Sequence, residues 1–415
     1  MSHNRSPRRL VCFILALAAV IGCTKTKPEP AGSRSPEAQA VPQDPRASNS
    51  LSPDEIADGW ILLFDGETLF GWKSTGDADW RVEGGVVKAS SGKPGWLYTT
   101  GRFGDYVLSL DFRMPENGNS GVFLRTLPEP VDVTRDCYEV NIALPDENDY
   151  PTGSLVQRQK ADVQCDLTKW HNFEIRAVGG EIVVSLDGNV VSQYTDPAPL
   201  PAGHIGLQFR KGEVQFCNIK LKPLSMRPLF DGKTLDGWKE YPDMPSRFTV
   251  SKEGWLHVEN GRGQLETTEQ FGDFIFRTDI RVNGDELNSG IFFRCIPGEQ
   301  MNGYECQIHN GFLNGDRTKP KDCGTGGFFR RQDARKIVAD DHEWFTLTLL
   351  ADGPHMAAWV NGYQVSDWTD TRAPDPNPRK GLRLEPGTIM IQGHDPTTDL
   401  DFRNLQISEL VLSSP

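Results

Sequence analysis

The chain has 415 residues and a formal net charge of −13 at pH 7, with 44 Lys and Arg against 57 Asp and Glu. That balance, with no dense Lys/Arg run, excludes the clustered cations on which nucleic-acid binding depends. The length allows two domains of roughly 100–200 residues, each large enough to bury a core.

At the amino terminus, Arg5, Arg8 and Arg9 precede an apolar run from Leu10 to Ile21. The run is too short to cross a bilayer as a helix and reads as a signal peptide, residues 1–23. It ends Val20-Ile21-Gly22-Cys23, a lipobox-like sequence, so Cys23 is expected to be lipidated. The expectation is an exported bacterial lipoprotein, anchored to the membrane in the periplasm or at the cell surface. Residues 24–58 are rich in Pro, Ser, Ala and Gln without periodicity and are expected to form a disordered tether.

From here the chain says everything twice. LFDGETLFGW (Leu63 to Trp72) returns as LFDGKTLDGW (Leu229 to Trp238), and FGDY at Phe103 returns as FGDF at Phe271. Asn-Ser-Gly follows at Asn119 and Asn288, Tyr-Glu at Tyr138 and Tyr304, a lone Trp at Trp170 and Trp344, and Phe-x-Asn at Phe216 and Phe402. The offsets begin at 231 − 65 = 166 and drift to 344 − 170 = 174 and 402 − 216 = 186. A period this long is a whole domain, since solenoid units run to ~20–50 residues. Two copies are expected, at 59–224 and 225–415.

Period-two alternation dominates both copies. Leu108, Leu110 and Phe112 alternate with Ser109, Asp111 and Arg113, and Phe274, Phe276 and Ile280 with Arg277, Asp279 and Arg281. Asp187-Gly188 and Asn361-Gly362 are tight-hairpin signals. No helical period is sustained over a dozen residues. The fold class is therefore all-β, two tandem jelly-roll β-sandwiches. A short link, Lys222 to Leu229, implies that the two touch and share a groove.

The polar residues gather in the middle of each copy. By parity, Gly290, Phe292 and Arg294 share one face, and Glu305, Gln307 and His309 share another. A short loop joins the two strands, which sets Arg294 beside the Glu305 row. The first copy repeats the arrangement with Arg125, Glu139 and Asn141. Asn119 and Ser289 with Asn288 stand next to glycines that suit close approach of a ligand. Gln208 and Gln392 match in position, and the second is followed by His394 and Asp395. Trp72, Trp80, Trp238 and Trp255 are assigned to packing. Gly324-Thr325-Gly326-Gly327 leads into Phe328-Phe329 and not into a helix, so no nucleotide site is inferred. Six cysteines remain after Cys12 and Cys23, at unmatched places in the copies, and read as buried thiols or one incidental bridge.

Together LFDGxTLxGW, FGD(F/Y), NSGxFxR, YExQ or YExN, and F(R/C)N resemble the 3-keto-disaccharide hydrolase domain family, over nearly all of Leu63 to Leu410. The resemblance implies a concanavalin-like jelly roll and cleavage of glycosides whose glucose carries a ketone at carbon 3. It implies a carbohydrate partner and neither nucleic acid nor nucleotide. No cofactor is certain, and a divalent metal is left open. Such chemistry needs a base for the C2 proton, donors for the enolate and an acid for the leaving group. Glu305 or His309 is the candidate base, Arg294 the enolate donor and His394 the acid. Asn288, Ser289, Gln307, Gln392 and Asp395, with Asn119, Arg125, Glu139, Asn141 and Gln208 in the first copy, are candidate substrate ligands. Asn141, Ala143 and Cys217 stand where the second copy has Gln307, His309 and Arg403, so the second copy is expected to be the active one. The competing expectation is a membrane-tethered carbohydrate-binding protein without catalysis.

Overall fold

The computed structural model describes residues 44, 46–144 and 149–410. The signal peptide, Cys23 and most of the expected tether lie outside the described residues. The structure is nearly all β: one six-residue helix, Pro53–Asp58, and twenty-eight strands among the described residues. That helix is held at its start by a Ser52/Glu55 capping box and stopped by Gly59 in the left-handed region.

Each copy folds as a sandwich of an eight-stranded and a five-stranded antiparallel sheet. In the second copy the small sheet runs Trp238–Lys239, Gly263–Thr267, Thr388–Gly393, Ser289–Cys295 and Tyr304–Ile308. The first copy repeats it as Trp72–Ser74, Gly95–Thr99, His204–Phe209, Ser120–Thr126 and Tyr138–Ile142. The hairpin signals hold. Leu186 pairs with Asn189 and Val360 with Tyr363, and both residues of each turn, Asp187-Gly188 and Asn361-Gly362, have positive φ. This two-residue geometry matches the right-handed strand twist.

Several residues of the repeated motifs turn out to be scaffold. Trp72 donates its indole N–H to the Leu63 carbonyl at 2.5 Å, and Trp238 donates to Leu229 at 2.9 Å, closing each LFDG loop. Asn218 and Asn404, both at positive φ in a bulge, donate to Asp111 and Asp279. The Tyr of each Tyr-Glu pair points away from the Glu. Tyr138 donates to Asp196 and Tyr304 to Asp370, each at 2.8 Å, tying down the loop that precedes the next strand. All six cysteines of the described residues are free thiols.

The sandwiches touch, and the contact explains a difference between equivalent strands. His171–Val178 and Glu181–Leu186 alternate buried residues with exposed or half-buried ones, whereas His355–Val360 is buried at every residue. The outer face of the second large sheet is covered by the first sandwich, so its strands are apolar on both sides. Ile275, Leu350, Ala357 and Trp359 pack into the first core, and Trp359 donates to the Leu62 carbonyl at 2.9 Å. Arg102 pairs with the buried Asp352, and Arg335 with Asp65 at 2.7 Å.

Residues 46–58 depart from the expected tether. Arg46 forms a two-pronged pair with Asp111 at 2.8 and 3.0 Å, and Asn49 and Asn218 exchange hydrogen bonds at 2.8 Å. Ala47 is buried against Val86, Cys217 and Trp170. The segment lies on the first sandwich as a strap, its far end also held by Arg277 of the second through the Ile56 and Ala57 carbonyls, because it brings its own ionic and amide partners, which composition alone does not reveal.

Candidate active site

The small sheet of the second sandwich forms the floor of a cleft of about 530 Å³. Its register sets polar residues side by side. Gln264 lies opposite Gln392, Gly290 opposite Gln307, and Phe292 opposite both Met390 and Glu305. Gly290 leaves the dip: a Cβ there would stand 3.1 Å from the Glu305 carboxylate. The walls come from loops, with Gln300 and Met301 on one side and Asp322, Phe329 and Arg379 on another; Arg262 and His394 also line the space. Every lining residue belongs to the second sandwich, so the expected shared groove is not where this site forms.

Glu305 is the buried charge of the cleft, 7% exposed. Burial raises its pKa above the ordinary carboxylate value, and Arg379 opposes that shift. The Arg379 guanidinium donates to Glu305 at 3.0 Å and to the Met301 carbonyl at 3.2 Å, with its centre 5.0 Å from the Phe292 ring. Across the floor, Gln307 donates to Asn288 at 3.0 Å and to Asp322 at 3.3 Å, and Asn288 also donates to Asp322. The amide oxygens of Gln307 and Gln392 have no hydrogen-bond partner among the described residues. His394 shares a hydrogen bond with Asp395 at 2.9 Å, which orients its ring.

Five expected residues meet here: Asn288, Glu305, Gln307, Gln392 and His394. Arg294 does not. It is wholly buried and donates to the carbonyls of Gly272, Gly353 and Arg383 and to the Asp273 carboxylate at 2.5 Å. The cause is a bulge: two residues intervene between the Phe292–Met390 and Cys295–Thr388 pairs where one would keep register, and Arg294 takes φ 47°. The extra residue turns Arg294 to the opposite face. Arg125 repeats this with Gly104, Gly179, Leu200 and Asp105, so it too is scaffold. Ser289 is fully buried and donates to the Gln392 carbonyl at 2.7 Å, joining strands. His309 accepts the Gly311 N–H at 3.1 Å on Nδ1, so that nitrogen is spent, and it lies outside the lining. Asp395 accepts from Thr397 and His394 within its own turn.

In the first sandwich, Glu139 and Gln208 keep the matching floor positions at 3.3 Å from each other. Burial, opposed by Arg210 and Gln208, raises Glu139 to about 7. Trp96 stands where the second copy has Gln264, 6.0 Å from the Phe123 ring. Asn141 donates instead to the Tyr150 carbonyl. Asn119 keeps its strand-start position, its N–H bonded to the Lys211 carbonyl.

Arg379, Asp322, Phe329, Met301, Gln300 and Arg262 were not expected. A signal existed for Arg379. Between Thr195 and His204 there are eight residues, 196–203, and between Thr369 and Thr388 there are eighteen, 370–387. The offset accordingly grows from 174 at the Trp to 392 − 208 = 184 at the Gln, and Arg379 sits in those ten extra residues. No group of three or more His, Cys, Asp or Glu among the described residues is arranged to hold a metal ion.

The family model of the 3-keto-alpha-glucoside-1,2-lyase-like domain matches residues 59–222 and again 225–408. A 3-keto-disaccharide hydrolase of Bacteroides thetaiotaomicron is 25% identical over 280 residues, covering 51% of this chain and 96% of that protein. Among solved structures, a proposed glycosyl hydrolase of Parabacteroides distasonis is 20% identical with a TM-score of 0.38, covering 43% of this chain and 99% of its own. A carbohydrate-binding module of Bacillus subtilis is 17% identical with a TM-score of 0.30, covering 37% and 95%. With both sandwiches matched, the chain belongs to the 3-keto-alpha-glucoside-1,2-lyase-like domain family and carries that domain twice in tandem.

Proposed function

We propose that the second sandwich cleaves 3-keto-glucosides, with Glu305 as general base. The supporting observation is a buried carboxylate, raised in pKa and facing a guanidinium, in a cleft that also presents His394 and the amides of Asn288, Gln307 and Gln392. A C3 ketone acidifies the proton on C2. Glu305 takes that proton, and the electron pair moves onto the C3 oxygen as an enolate, which Arg379 is charged to stabilise. The enolate collapses, the C1–O bond breaks, and His394 protonates the departing oxygen. Water then adds across C1 and C2: its hydroxyl goes to C1, its proton restores His394, and Glu305 returns its proton to C2, giving 3-keto-glucose. Asn288, Gln307 and Gln392 are suited to the sugar hydroxyls. Arg379 takes the role expected of Arg294, and the spent nitrogen of His309 leaves Glu305 as the base.

Glu305→Gln should lower the release of 3-keto-glucose from a 3-keto glucoside by about 10²–10⁴-fold, the usual weight of a general base. Undiminished release would overturn the assignment. Sugar binding by the parent chain without any release, at high protein concentration, would leave a carbohydrate-binding protein. A raised Glu305 pKa means the base is lost earlier on acidification. The acid limb of kcat/KM should therefore lie above the ordinary carboxylate range.

A further inference from the structure

We propose that Gln264, which has no role in the chemistry above, is a positioning residue: through Met301 it holds Arg379 against Glu305. The inference rests on the reading that this cleft is the reacting site. Gln264 is 1% exposed on the cleft floor. It accepts the Met301 N–H at 2.7 Å and donates to the Glu299 carbonyl at 3.4 Å. Met301 is held at three points, for its carbonyl accepts from Arg379 at 3.2 Å and its sulfur from Gln392 at 3.2 Å. Its φ of 46° is unfavourable for a side chain this size and persists only where the surroundings impose it. Two residues further along the strand, buried Glu266 accepts the Gly298 N–H at 3.1 Å and the Thr388 hydroxyl at 2.7 Å, pinning the same loop from its other end.

The two copies vary together at these places. The first sandwich has Trp96 and Tyr98 at the positions of Gln264 and Glu266, and its shorter loop, 196–203, contains no arginine. Lock and arginine are present together in one copy and absent together in the other. Guanidinium position matters because charges act steeply at this range. Three charged or titratable groups face Glu305: Arg379 from the long loop, Asp322 from the loop after the strand Asp316–Pro320, and His394 at the end of Thr388–Gly393. Only Arg379 touches both Glu305 and the Met301 loop.

The test is the titration of Glu305 itself, read by carbon NMR on the full chain with ¹³C-labelled glutamate carboxyls and assigned with Glu305→Gln. Gln264→Leu keeps the bulk and removes both hydrogen bonds. The Glu305 midpoint should rise by about 0.5–1 pH unit, towards that of Arg379→Ala, because a loosened cation favours the carboxylate less. In the double variant no further rise is expected, since both changes remove one interaction. Should Gln264→Leu fail to fold, Gln264→Ala gives the same readout. An unchanged midpoint, or shifts that simply add, overturns the inference. Cleavage by the parent chain is a separate readout. A shift without any cleavage keeps the positioning role and removes the reaction; cleavage without a shift does the reverse.

Discussion

Arg294 and Arg125 show what a repeated arginine can be for. Each reaches from a bulge to the carbonyl of the Gly and the carboxylate of the Asp in its own copy's Phe-Gly-Asp motif. Two motifs about 20 residues apart thus meet as donor and acceptor, and the acid supplied with the base was the readable clue. Arg294→Met should cost roughly 3–5 kcal/mol of folding free energy, as breaking a buried ionic network does, while turnover per folded molecule is retained. Urea unfolding beside an activity assay checks this; lost turnover at unchanged stability would return Arg294 to the site. Glu139 gives a prediction of opposite sign. Its folded pKa of about 7 lies above the unfolded value near 4.5, so its contribution to stability is intact below 4.5 and is lost as pH rises to about 7. Glu139→Gln should flatten the loss, on the order of 3 kcal/mol at most, leaving a urea midpoint that varies less between pH 5 and 8. Equal pH slopes for parent and variant would refute it.

At the scale of elements, the loop 370–387 is ten residues longer than its counterpart 196–203 and brings in the arginine that the proposed reaction requires. Grafting the first copy's residues 196–203 in its place keeps the tyrosine tie, because Asp196 and the Leu200 N–H make in one copy the contacts that Asp370 and the Arg383 N–H make in the other. The graft should fold, judged by circular dichroism, and should lose about 10²-fold or more in kcat, the typical weight of a removed charge stabiliser. Full activity would exclude Arg379. Sequence pattern revealed these strands, hairpins and the Glu305, Gln307 and Gln392 floor because alternation and register are local and periodic. It misplaced Arg294 because parity holds only until a bulge, and the bulge lives in φ at one residue. It missed Arg379, Met301 and Asp322 because loop residues carry no period; only the growing offset betrayed where the loop was.

At the scale of the molecule, the first sandwich covers the back of the second and leaves its small sheet free. The strand Trp344–Asp352 is buried at every residue after Trp344, in contrast to its alternating counterpart His171–Val178. Residues 225–410 alone would expose Ile275, Leu350, Ala357 and Trp359, and a contiguous apolar face drives association. The isolated second sandwich should elute in light scattering as dimers or larger species, and a monodisperse monomer would contradict this account of the interface. The strap has a mechanical meaning. Anything attached upstream of Asp44 pulls first on Asp44 itself, bonded to Gly84 and Arg113, and then on the Arg46–Asp111 and Asn49–Asn218 contacts along the flank of the first sandwich. Tension at that end is thereby taken up by the first sandwich before it reaches the carbonyls of Ile56 and Ala57, which Arg277 of the second sandwich holds.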